Sequence, residues 1–146
     1  MSRLARIASP VALVAALAVP ALALPASSGA STSMNTTPKI LTCTNTTVSR
    51  PSNFVISCAD AGAALTKTHW STWNAMGATG TTTFALNLCT PYCAASPISH
   101  FAGSTVRLSA PVTTKRGRLF SKMVVRYIEH GKAHSFSFSW TGEPRF

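Results

Sequence analysis

From Lys132 onward the chain alternates in a way that suits an extended backbone: His134, Phe136, Phe138 and Trp140 fall on one side, Ser135, Ser137 and Ser139 on the other. A strand sends successive side chains to opposite faces, so this run predicts a half-buried strand, apolar side inward and hydroxyls outward. Arg118 to Glu129 repeats the pattern, setting Met123, Val125 and Tyr127 against Lys122, Val124 and Arg126, and His130-Gly131-Lys132 supplies the turn between the two. Phe84, Leu86 and Leu88 alternate likewise, as do Val106 and Leu108 within Thr105 to Ser109. Ala110-Pro111 then breaks the run or places it at a sheet edge, because proline has no ladder N–H. Lys39 to Cys43 and Phe54 to Cys58 are shorter strand candidates.

One stretch fits two periods. Read as a helix, the segment after Asp60 puts Leu65, His69, Trp73 and Met76 along one side, with Gly77 as a stop. Read as a strand, Ala63 to Trp70 puts Ala64, Thr66, Thr68 and Trp70 on one face. Branched threonines lose rotamer freedom in a helix, which favours the strand. Short strands between turns, with no convincing helix, predict an all-β fold: a small antiparallel sandwich or barrel.

The first thirty residues have a different character. Arg3 and Arg6 precede an apolar run from Val11 to Leu24, and Ser28-Gly29-Ala30 is a small-x-small cleavage pattern. Residues 1–30 are therefore expected to be a signal peptide, 31–38 a flexible Ser/Thr/Asn-rich segment, and 39–146 a single β domain. The apolar run falls short of the roughly twenty residues a transmembrane helix needs, and no other stretch approaches that length. The expected product is secreted.

All four cysteines, Cys43, Cys58, Cys89 and Cys93, follow that leader. An even count in an exported chain implies disulfides, which help a domain too small for a generous core. Four cysteines allow three pairings, of which the two local bridges Cys43–Cys58 and Cys89–Cys93 are favoured here. A zinc site joining Cys89 and Cys93 to His100 has poor ligand spacing, so no metal and no cofactor are expected.

Charge supplies the main functional hint. The chain has 13 Lys and Arg against 3 Asp and Glu, a formal charge of +10. Such a surface attracts polyanions: wall polymers, anionic lipid surfaces or nucleic acid. Lys115, Arg116 and Arg118 cluster in a loop, and Lys122 and Arg126 continue them along one strand face, a candidate anion-binding stripe. Phe120, Val124 and Ile128 share that face by parity, so the cations are expected to snorkel at its edge.

The run Arg50-Pro51, Cys58-Ala59-Asp60, Trp70-Ser71-Thr72-Trp73 and Cys89-Thr90-Pro91-Tyr92-Cys93-Ala94 resembles the pattern of a group of small exported actinobacterial proteins of unassigned function. The likeness covers roughly residues 39–110, with Thr82 and Ser96 standing where glycine is expected. It implies a secreted, disulfide-bonded β domain and brings no activity with it.

Catalytic chemistry finds little support, and no catalytic residue is assigned. Only Asp60, Glu129 and Glu143 are acidic. Asp60 suits an Asx-type turn. A small basic nuclease would use Glu129 as base, His130 or His134 as acid and Arg126 on the phosphate, but alternation sends Glu129 and Arg126 to opposite faces. A secreted protease inhibitor is a further alternative, with Thr90-Pro91-Tyr92 as a reactive loop between Cys89 and Cys93. Binding to an anionic envelope or extracellular polymer fits the residues best.

Overall fold

The computed structural model describes residues 36–140. The expected signal peptide, most of the segment after it and Glu143 lie outside the described residues. The strands are β1 (Ile40–Leu41), β2 (Thr47–Val48), β3 (Phe54–Val55), β4 (Ala63–Trp73), β5 (Ala78–Asn87), β6 (Ile98–Thr114), β7 (Gly117–Glu129) and β8 (Lys132–Ser139). Among the described residues there is no helix. β1 pairs with β2, and the other six form one antiparallel sheet in chain order, curled into a half-barrel. The all-β reading holds, and so do both local disulfides, Cys43–Cys58 and Cys89–Cys93.

The inner face carries the core. Leu65, Phe84, Val106, Leu108, Met123 and Val125 are all at most 2 % exposed. Each such side chain is worth about 1.5–3 kcal/mol of burial. β8 behaves as its alternation demands, with Phe136 and Phe138 half-buried, Trp140 buried and the serines between them exposed. His130 and Gly131, at φ 48° and 74°, form the two-residue turn into it, the left-handed pair that matches hairpin twist.

The ambiguous segment is a strand, but its face assignment changes along the way. Ala63 and Leu65 point inward. The pairing with β5 then slips between Thr66 and His69, where Lys67 has φ 51°, and again between Trp70 and Thr72. Each slip is a β-bulge that inserts one β4 residue and swaps faces. Thr68 thus turns inward after the first bulge and Trp73 after the second. Gly80 belongs to the same arrangement: a Cβ there would lie 2.5 Å from the His69 carbonyl oxygen.

A second correction concerns Phe120. Parity puts it on the face of Lys122 and Arg126, yet it is fully buried and packs edge-on against Trp73, centroids 5.5 Å apart. The β6–β7 ladder passes over Ala110 and Ser121. Ala110 has φ 52° and its carbonyl accepts the Ser121 hydroxyl, so alternation breaks at this point. Pro111 lies beyond the end of β5, where β6 pairs with β7 alone.

The chain before β1 closes this end of the sheet. β8 stops opposite Lys122, leaving the outer edge of β7 open beyond it. Lys39 fills that edge, donating to the Arg118 carbonyl and accepting from the Phe120 N–H, both at 3.0 Å. The adjacent Pro38 carbonyl accepts the Trp73 indole N–H at 2.9 Å. One short segment thereby links the end of β4 to β7.

Candidate anion-binding groove

The outer face of the sheet is built from the residues between the core positions. β5 contributes Thr79 and Thr81, β6 contributes Thr105, Arg107 and Ser109, and β7 contributes Lys122, Val124 and Arg126. Register sets their neighbours: Arg107 stands opposite Val124, with Thr105 opposite Arg126 and Ser109 opposite Lys122. Arg107 is therefore diagonal to both Lys122 and Arg126, a relation of about 7–8 Å between backbones. The three cations border a shallow groove of about 550 Å³ floored by threonine and serine hydroxyls and Val124.

The electrostatics of the groove are one-sided. Arg107, Lys122 and Arg126 are exposed. Asp60 and Glu129 are the only acids among the described residues, and Glu129 lies 3.8 Å from the His134 imidazole, away from the three cations. Like charges gathered on neighbouring positions repel weakly in water and more where solvent is excluded. An anion seated among the three relieves that repulsion and meets hydroxyl donors as well.

The predicted stripe divides in two. Lys122 and Arg126 line the groove. Lys115 and Arg116 form the tight turn between β6 and β7, where Arg116 donates to the Asn45 carbonyl at 2.9 Å. Arg118 is half-buried beside the Lys39 segment. Arg107 is the residue that sequence reasoning missed. Its outward position follows from Val106 and Leu108 pointing in, but only the register shows it lying between Lys122 and Arg126.

The groups of the nuclease alternative are distributed as follows. His134 stacks on Tyr127, centroids 5.5 Å apart, with Glu129 beside it, while His130 occupies the hairpin turn and Arg126 faces outward. Burial raises the Tyr127 pKa above 10.0, and the Glu129 charge raises it further. Asp60 accepts the Gly62 N–H at 2.9 Å, as an Asx turn requires, and this bond, followed by one from Ser57, holds its carboxyl below 3.8. The Cys89–Cys93 loop is a closed turn: Asn87 ties both its ends, and the Tyr92 carbonyl accepts from Ala95 and Ser96. Both sulfurs are bonded to each other, which removes them as zinc ligands.

No protein-family model, curated protein or solved structure matches this chain.

Proposed function

We propose that this is an extracellular domain that binds an anionic polymer of the envelope or its surroundings through the groove around Arg107, Lys122 and Arg126. The observation that carries the reading is that these three cations converge from two strands with no carboxylate among the described residues paired to them. The two disulfides suit an oxidising compartment. The same reading places the chain with the exported actinobacterial group that its cysteine and tryptophan motifs resemble.

The test compares two variants of equal net charge on an immobilised polyanion. Arg107→Gln/Lys122→Gln/Arg126→Gln empties the groove of charge, whereas Lys39→Gln/Lys67→Gln/Lys115→Gln removes three exposed charges elsewhere. Retention that falls with salt, is abolished in the first and is mostly kept in the second supports the groove. Equal loss in both reduces the effect to net charge and overturns the proposal.

A further inference from the structure

The six-stranded sheet is split at one end. The β6–β7 ladder stops at Thr105–Arg126, yet β6 continues back to Ile98 against β5, and β7 continues to Glu129 against β8. The cause lies in β6. Ala102 and Gly103 together oppose the single residue Thr83, a bulge in which Gly103 takes φ +70° and Ser104 Oγ closes onto the Phe101 carbonyl at 2.7 Å. A bulge bends its strand, here leaving a notch between the two hairpins. That notch is a recess of about 430 Å³ lined by Gly103, Thr105, Arg126, Tyr127, His134 and Ser135. A Cβ on Gly103 would meet nothing within 4 Å, so the mouth is open on that side.

Thr105 and Arg126 line both the recess and the cationic groove, so the two adjoin at these residues. The recess differs in kind from its neighbour. It offers the His134 imidazole, 41 % exposed and stacked at 23° on Tyr127, with hydroxyls and one guanidinium around it. Flat rings beside hydroxyls and a lone cation suit a sugar ring that bears an acid. Glu129, 3.8 Å from His134, repels a phosphodiester passing over the imidazole and can accept hydrogen bonds from sugar hydroxyls.

We infer that the recess between β6 and β7 is a saccharide subsite, and that the polymer bound by the adjoining groove is an acidic polysaccharide. A sugar ring sits in the notch against the exposed His134 ring, which Tyr127 backs on the inner face. Its carboxylate reaches through the notch to Arg126 on the outer face, and the chain continues there over Arg107 and Lys122. This rests on the polyanion reading of the groove and names its ligand class.

The experiment measures binding of polygalacturonate, polyglutamate of matched charge density, and single-stranded DNA to the wild type, His134→Ala and His134→Phe. The expected result is tighter binding of polygalacturonate than of polyglutamate. His134→Ala should remove that advantage by up to about tenfold, the scale of one aromatic contact, and leave polyglutamate binding unchanged. His134→Phe keeps a flat ring and should keep the advantage. Equal affinity for the two carboxylate polymers, or no effect of His134→Ala, overturns the saccharide subsite while leaving the groove intact. Preference for DNA that is lost in His134→Ala makes the recess a base-stacking site and also overturns it. Failure of all three polymers to bind removes the polyanion reading itself.

Discussion

Trp70 and Trp73 meet edge to face, ring centroids 4.7 Å apart and planes at 90°, although residues three apart on a regular strand point to opposite sides. The bulge between Trp70 and Thr72 removes the conflict by adding one residue, so both indoles reach the core side of β4. Trp73 then holds Phe120 with its ring and Pro38 with its N–H, and Trp70 donates to the Pro51 carbonyl.

Trp73→Ala should accordingly be among the most damaging single substitutions, losing about 3–5 kcal/mol as large aromatic-to-alanine changes in a core do. Deleting Ser71 should damage comparably by returning Trp73 to the outer face. Denaturant unfolding measures both. A Ser71 deletion as stable as the wild type would show that the second bulge does not set the face of Trp73.

Thr68 and Thr82 form a buried hydroxyl pair at the first β4 bulge, 2.9 Å apart, and Thr82 also donates to the Thr66 carbonyl at 3.0 Å. Glycine, expected at position 82 from the resemblance, has no hydroxyl for these bonds. Thr82→Val should cost about 1–3 kcal/mol, because it strands buried polar groups. The double variant Thr68→Val/Thr82→Val should lose less than the two single losses combined, since the hydroxyls then vanish together. Strict additivity in a double-mutant cycle would contradict the pairing.

Alternation was legible wherever the ladder is regular. β8 and the second half of β7 could be assigned residue by residue, because Phe136, Met123 and Val125 obey period 2 without interruption. The misassigned faces, those of Thr68 relative to Ala64 and Thr66 and of Phe120, lie beyond a bulge or a left-handed residue, at Lys67 or Ala110. Lys67 is a non-glycine residue with no turn signature, so nothing local marks the insertion there, while Ala110-Pro111 marks a break in the run without showing which way the faces turn after it. The groove was half legible for a related reason. Lys122 and Arg126 share one strand, whereas Arg107 joins them through a pairing across two strands that only a fixed register defines.

The disulfides should differ in what they contribute. In the chain-entropy relation the Cys43–Cys58 bridge, separation 15, is worth about 3 kcal/mol, and Cys89–Cys93, separation 4, about 2 kcal/mol. Paired Cys→Ala variants measured by urea unfolding should show that order, and the native protein should titrate no free thiol. The reverse order would place a larger role on the Asn87-tied loop than its closure entropy supplies.

Removing one groove charge should change the salt response as well as the affinity. Arg107→Gln should lower the slope of log affinity against log salt by about one, as expected for one fewer ion-paired contact. Arg50→Gln, outside the groove, should leave it unchanged. Polyanion affinity measured across a salt series decides the point. An unchanged slope in Arg107→Gln would place the anion elsewhere on the surface.

Tyr127 should make stability fall at high pH. Burial first, and the neighbouring Glu129 charge second, raise its pKa above 10.0, so the folded state favours the protonated phenol. The resulting stabilisation is complete below the unfolded value near 10 and is lost as pH rises through the folded one. In a Tyr92→Phe background the remaining tyrosine can be followed by tyrosinate absorbance. Glu129→Gln should move that titration down without restoring the ordinary value, because the burial contribution stays. Tyr127→Phe should flatten the part of the alkaline stability loss that belongs to the phenol. If Tyr127 ionises at the ordinary value, its phenol is not buried against the core as described, and if Glu129→Gln leaves its titration where it was, Glu129 does not sit close enough to Tyr127 to act on it.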